Sequence, residues 1–156
     1  LVPTTLFLAP FVNSYKRLQE DSLAGVSAPW AMDNRTAALR AITTDADACR
    51  IEHRVPGADV NPYVALAVLL AAGRMGIERD MTPPEPATGN AYHAPSAGRV
   101  PRDLAEAVRL ADGDPITRTL LPPAFVDNFL TVARLELAAF ATQVTDLERR
   151  RCLEMA

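Results

Sequence analysis

The sequence predicts an α+β fold, rich in helix with a few antiparallel strands, and three observations carry that prediction. Residues 26–55 favour extended structure, punctuated by loop signals at Gly25, Pro29 and the polar stretch 43–47. Asn61 followed by Pro62 opens a strongly apolar helix. From Arg102 onward apolar positions recur at three-to-four spacing. A length of 156 residues is the size of one domain, and 49% hydrophobic with 22% charged residues is too apolar for a disordered chain.

The opening stretch 1–12 is apolar, but it contains Pro3 and Pro10 and lacks the charged start of a signal peptide. It begins on Leu1 with no initiator methionine, which implies processing or truncation upstream. The strand region ends with Arg50-Ile51-Glu52-His53-Arg54-Val55. In the helix that follows, residues 63–72 are apolar on all sides, so it needs covering on more than one face, and Gly73 with Gly76 supplies its end. Its most apolar run, 64–72, falls well short of the roughly 20 residues that cross a bilayer, so no membrane partner is expected. Residues 75–100 hold Pro83, Pro84, Pro86, Pro95 and three glycines, which reads as a long functional loop or an excursion packed on something larger. A short amphipathic helix over 102–111 is closed by Asp112-Gly113-Asp114-Pro115. A longer one follows Pro122-Pro123, and a last helix starts at Thr145-Asp146 and turns Leu147 and Leu153 inward.

Fifteen arginines stand against one lysine, Lys16, within a formal net charge of -3. Base composition explains much of that excess, although arginine also suits bidentate recognition of carboxylate and phosphate. An acidic chain without a basic face argues against nucleic acid as a partner. Arg149-Arg150-Arg151 is flanked by Glu148 and Glu154 and reads as a solvated helix face. Cys49 and Cys152 have no metal-ligand spacing, so a reducing cytoplasm is the expected location.

The stretch 50–55 is the most informative. On a strand, Arg50, Glu52 and Arg54 share one face at about 7 Å intervals, with Ile51, His53 and Val55 on the other. A carboxylate between guanidiniums stays ionised, and such a row can bind a cation together with anionic oxygens. The same pattern also describes a salt-bridge ladder without catalytic importance. His53, on the inward face, is expected to be a satisfied structural histidine, and with His93 it makes no metal pair. No Ser-His-Asp arrangement or Gly-rich phosphate loop is present.

Several ordered motifs resemble the glutamine synthetase superfamily: Asn13-Ser14-Tyr15-Lys16-Arg17, Asn34-Arg35-Thr36-Ala37-Ala38-Leu39-Arg40, Arg50-Ile51-Glu52-His53-Arg54 and Gly57-Ala58-Asp59-Val60-Asn61-Pro62-Tyr63. Thr88-Gly89-Asn90-Ala91-Tyr92 and Val144-Thr145-Asp146-Leu147-Glu148-Arg149 fit as well, so the resemblance covers nearly the whole chain. It implies ATP-dependent ligation of an amine to the γ-carboxylate of glutamate through γ-glutamyl phosphate, with ATP and Mg2+ (or Mn2+) as cofactors, in a large homo-oligomer. By that resemblance Arg17 holds the glutamate carboxylate, and Arg35 and Arg40 face the ATP phosphates and the transferring group. Arg50 lies along the nucleotide, Glu52 ligates the divalent cation, and Arg54 contacts glutamate or its phosphorylated carboxylate. Arg35 and Arg40 are five positions apart, so a flat strand would oppose them, and a bulge or strand end is needed for both to reach one site.

Two departures sharpen the resemblance. Where glutamine synthetases carry a glutamate that helps close the site over ammonium, an ungapped alignment places Leu23, which brings the sequence closer to the γ-glutamylpolyamine synthetase type with an organic amine acceptor. The whole chain, 1–156, then corresponds to the C-terminal part of the catalytic domain. The family's N-terminal β-grasp domain and the segment with the remaining metal ligands are absent, and the isolated chain is expected to be inactive. Tyr92 lies where some bacterial glutamine synthetases carry a regulatory tyrosine, but its surroundings differ and an ordinary loop tyrosine is expected. An ammonium-using synthetase and a non-catalytic assembly or regulatory module are the alternatives.

Overall fold

The computed structural model describes residues 2–20, 22, 24, 27, 29–94 and 98–155. Leu1, Leu23, Gly25, Val26 and Pro95 lie outside the described residues. The core centres on the apolar opening segment of the chain. A short 3-10 turn, Val2–Thr4, leads into helix α1, Thr5–Leu8, whose Leu6, Phe7 and Leu8 are all buried. Phe7 packs its ring 4.9 Å from that of Phe129 and 6.3 Å from that of Phe125. Tyr15, Val55, Val68, Leu104, Val108, Val126 and Leu130 close around it.

The sheet has three strands in the order β1 (Trp30–Met32), β2 (Leu39–Ile42), β3 (Arg50–His53). The β2–β3 pair is antiparallel, as expected, and sets Arg40 opposite Glu52 and Leu39 opposite His53. The β1–β2 pair is parallel instead, with Trp30 opposite Leu39. Parallel neighbours usually need a long crossover, whereas residues 33–38 make this return. Asp33 takes a left-handed conformation (φ 44) as the chain leaves β1, and Asn34 Oδ1 accepts from the Thr36 amide at 2.9 Å and its hydroxyl at 2.7 Å. Those two turns carry the chain back to the start of β1 before β2 begins.

Helix α2, Pro62–Glu78, starts as its sequence predicts: Asn61 Oδ1 accepts from the Tyr63 amide at 3.0 Å, with Pro62 in the first turn. It runs through Gly73 and Gly76 rather than ending there. The reversal falls on Asp80 (φ 49), with the Met81 amide donating to Gly76 and the Asp80 amide to Ile77, a Schellman closure in which an aspartate stands where glycine is usual. Ala65 and Val68 are buried on one face, while Tyr63, Leu66, Leu70 and Ile77 are exposed, so within this chain only one side of the helix is covered. The segment after α2 is laid against the sheet edge. Trp30 Nε1 donates to the Pro84 carbonyl at 2.6 Å, the Ala87 amide donates to Trp30 at 2.9 Å, and Asn34 Nδ2 donates to the Gly89 carbonyl at 2.7 Å. It ends in a 3-10 turn, Ala91–His93, that buries Tyr92 in the core.

Helix α3, Leu104–Gly113, is capped by Asp103, whose carboxylate accepts from the Glu106 amide at 2.7 Å. Asp114 does not merely close it; its side chain caps a further short helix, α4 (Pro115–Leu120), with Pro115 in the first turn. Helix α5 follows as Pro123–Ala141. Helix α6, Asp146–Glu154, forms behind a Thr145–Glu148 capping box, but Leu147 and Leu153 are 68% and 75% exposed rather than turned inward. Six positions apart, they stand about 120° from each other around a helix and cannot form one apolar stripe.

Candidate active site

Period-two alternation on β3 does put Arg50, Glu52 and Arg54 on one side, and Glu52 gathers them. Arg50 Nη2 lies 3.3 Å from Glu52 Oε1 and Arg54 Nη1 3.5 Å from Oε2. Across the strand pair Arg40 Nη1 donates to Glu52 Oε2 at 3.0 Å. Three guanidiniums therefore converge on one carboxylate. The hydrogen bond from Arg40 leads the effects that hold the Glu52 carboxyl below its ordinary range, so it is ionised at neutral pH.

Arg40 is gripped from a second side. Its Nε donates to Asp33 Oδ1 at 3.0 Å, and its Nη2 bonds the same oxygen. Hydrogen bonds to Asp33 and then to Glu52 raise the pKa of this already permanent cation. Asp33 was not among the residues the sequence singled out. A left-handed aspartate next to an asparagine is the only local signal, and a one-dimensional pattern does not reveal the φ that aims its carboxylate.

Arg35 lies in the turn before β2 and not on a strand, so the problem of opposed faces does not arise. Its carbonyl accepts from Arg54 Nε at 3.1 Å, which fixes it beside the cluster, and its exposed guanidinium has no protein partner among the described residues. Arg17, at the end of the 3-10 segment Val12–Arg17, reaches the end of β3, with Nη1 donating to the Arg54 carbonyl at 3.5 Å and Nη2 to that of Val55. Burial lowers its pKa, and Asp59 opposes that effect. The same corner is tight at Gly57: a Cβ there would lie 2.5 Å from Asp59 Oδ1 and 3.3 Å from Arg17 Nε, so the Asp59 side chain would have to shift. Ser14 Oγ donates to Asp59 Oδ2 at 2.5 Å.

Behind the ionic face, His53 contradicts the expectation of a satisfied histidine. Among the described residues neither buried ring nitrogen has a hydrogen-bond partner, and burial lowers its pKa to about 4. Ile51, meant for the inward face, is 72% exposed.

Chemically the face offers Arg35, Arg40, Arg50 and Arg54 against Asp33 and Glu52, an excess of positive charge suited to anionic oxygens. A cation is a different matter. Among the described residues no three His, Cys, Asp or Glu side chains converge where a metal ion could sit, and both Glu52 oxygens are already engaged by guanidiniums. The carboxylate fits as one ligand of a divalent ion, but this chain's donors do not form a complete site.

Residues 2–152 match the family model for the glutamine synthetase catalytic domain. The chain belongs to this family. It is 45% identical over 150 residues to a gamma-glutamylethanolamide synthetase of Streptomyces coelicolor, covering 96% of this chain and 32% of that protein. A type-1 glutamine synthetase of Dictyostelium discoideum is 41% identical, covering 99% of this chain and 30% of its own length. A glutamate–isopropylamine ligase of a Pseudomonas species is 37% identical, with 94% and 32% covered. Among solved structures, a GmaS/ADP complex superimposes with a TM-score of 0.78 at 32% identity, covering 97% of this chain and 36% of that one. The chain thus spans about a third of the length of the relatives it matches. Among the described residues, no helix is long and apolar enough to cross a membrane.

Proposed function

We propose that this chain is the C-terminal part of the catalytic domain of an ATP-dependent ligase that joins an amine to the γ-carboxylate of glutamate through γ-glutamyl phosphate. The observation that carries this reading is the convergence of Arg40, Arg50 and Arg54 on Glu52, with Arg35 held alongside, in a member of the glutamine synthetase family. Phosphoryl transfer asks a protein mainly for positioning and charge neutralisation. Arg35, Arg40 and Arg50 neutralise the phosphates of ATP, with the Arg35 guanidinium the one of the three without a partner among the described residues. Arg54, tied to Glu52, faces the phosphorylated carboxylate. Arg17, beneath the end of β3, holds that strand and the glutamate end of the site. Glu52 contributes one carboxylate to a divalent cation whose other ligands belong to protein outside this chain, so the 156 residues alone release no phosphate from ATP.

The acceptor is an organic amine or polyamine. Two relatives are named for organic amines, ethanolamine and isopropylamine, and Leu23 offers no carboxylate for ammonium. Exposed Tyr63, Leu66 and Leu70 on α2, with Val132 and Leu135 on α5, support further protein over these faces, as in a homo-oligomer. Both cysteines are free and exposed, as a cytoplasmic setting would keep them. The test is phosphate release by the natural polypeptide that carries this segment, with glutamate, ATP and magnesium, across ammonium and a panel of alkyl, hydroxyalkyl and polyamine acceptors. Turnover favouring an organic amine supports the reading. Turnover with ammonium alone makes it a glutamine synthetase, and no turnover with any acceptor favours a non-catalytic module.

A further inference from the structure

Asp33 departs from its surroundings in its backbone conformation. It is a non-glycine residue with φ 44, a conformation that L side chains enter at a cost, and the strain is placed at the point where the chain leaves β1. Its amide is paired, donating to the Ala41 carbonyl at 2.8 Å, so the backbone of the turn is tied to β2 one residue beyond Arg40. The carboxylate is thereby delivered to the Arg40 guanidinium. There it takes the Nε and Nη2 donors on one edge, while Glu52 takes Nη1 from the other strand.

The division of donors has a consequence for any anion that arrives. A guanidinium presents two edges for bidentate binding, Nε with Nη2 and Nη1 with Nη2. Asp33 closes the first, and since Glu52 engages Nη1, the second edge meets an oxyanion through the one N–H on each of Nη1 and Nη2 that the two carboxylates do not take. Without Asp33, Arg40 retains only the Glu52 contact and is free to rotate about its side-chain torsions or to close a bidentate pair with Glu52. Its side chain is 16% exposed against 59% for Asp33, so the arginine is the packed partner and the aspartate reaches in from solvent.

We propose that Asp33 is a positioning residue that presents the Nη1–Nη2 edge of Arg40 to the phosphates of a bound nucleotide. The proposal rests on the reading of the arginine face as a nucleotide site and goes beyond it, because Asp33 touches neither nucleotide nor reacting atoms and acts only through Arg40. Asparagine and glycine both tolerate a left-handed backbone, so Asp33→Asn and Asp33→Gly remove the charge without forcing the turn open.

The experiment is calorimetric titration of ADP into the natural polypeptide and into Asp33→Asn, Asp33→Gly, Arg40→Ala and the double variant Asp33→Asn/Arg40→Ala, with thermal melts as a control for folding. Each Asp33 variant is expected to weaken ADP binding about fivefold, as suits a partly exposed ion pair. The double variant is expected to bind no more weakly than Arg40→Ala alone, an outcome that a general loosening of the turn would not produce. Unchanged ADP affinity in both Asp33 variants, with Arg40→Ala impaired, overturns the role of Asp33 and leaves the nucleotide site standing. A fivefold loss that persists in the Arg40→Ala background also overturns it, since the effect then does not pass through Arg40. If Arg40→Ala itself binds ADP normally, the nucleotide reading of the face fails, and the proposal for Asp33 fails with it.

Discussion

His53 makes the folded chain sensitive to mild acid, and the size of the effect can be worked out from its surroundings. The ring sits among Val2, Thr5, Leu8, Ala38, Val55 and Val100, and neither nitrogen has a hydrogen-bond partner among the described residues. Burial holds its pKa at about 4, against 6.5 for a free histidine. Because the folded value is the lower one, the unfolded chain binds more protons between these limits. The stability contributed by keeping the ring neutral is therefore fully present above about pH 6.5 and is lost as the pH falls toward 4. The difference between 6.5 and about 4, at about 1.36 kcal/mol per pH unit, comes to about 3 kcal/mol. That is a large share of the roughly 5–15 kcal/mol of a typical domain. Urea unfolding of the natural polypeptide and of His53→Val between pH 4.5 and pH 7.5 measures it, since valine suits a strand and carries no proton. The difference in stability between the two should grow by about 1.4 kcal/mol for each pH unit below about 6. Parallel pH profiles for the two proteins would refute the claim that this ring is buried and unpaired.

The core and the corner of the site give further expectations. Phe7→Ala should cost about 3–5 kcal/mol in denaturant unfolding, because it empties the space between α1 and the Phe125 and Phe129 rings, whereas a loss below 1 kcal/mol would mean that α1 is not the hub of the core. Gly57→Ala should lower the melting temperature and weaken glutamate binding together, since the new methyl displaces Asp59 from Ser14 and crowds Arg17. Leu147→Gln should change the stability of the isolated chain by less than about 0.5 kcal/mol, consistent with its exposure, and a larger loss would place α6 against the body of the same chain.

How much of this was legible in the sequence depended on how local the signal was. The start of α2 could be read from Asn61-Pro62 because a cap is a contact between near neighbours. Its end could not, since Asp80 supplies the left-handed residue and both glycines stay within the helix. The ionic row on β3 follows from period-two geometry alone, but its collapse onto Glu52 depends on Arg40 from β2, which only the strand register reveals. The parallel return of β1 and the placement of Asp33 both hang on a single positive φ. Residues 5–8 are too short for periodicity to identify, yet they sit at the centre of the core because elements from the whole length of the chain meet there. The family motifs contain Arg40, Arg50 and Arg54, which the fold gathers around Glu52. They could not say that Arg17 would be committed to the carbonyls of Arg54 and Val55, or that His53 would lack any partner.

The central claim is that the β2–β3 face and the turn before it receive the phosphates of ATP. A crystal structure of the natural polypeptide with a non-hydrolysable ATP analogue tests it most directly. Phosphate oxygens are expected within hydrogen-bonding distance of the Arg35, Arg40 and Arg50 guanidiniums. A nucleotide bound away from that face, with Arg40 and Arg50 still closed on Glu52, would contradict it.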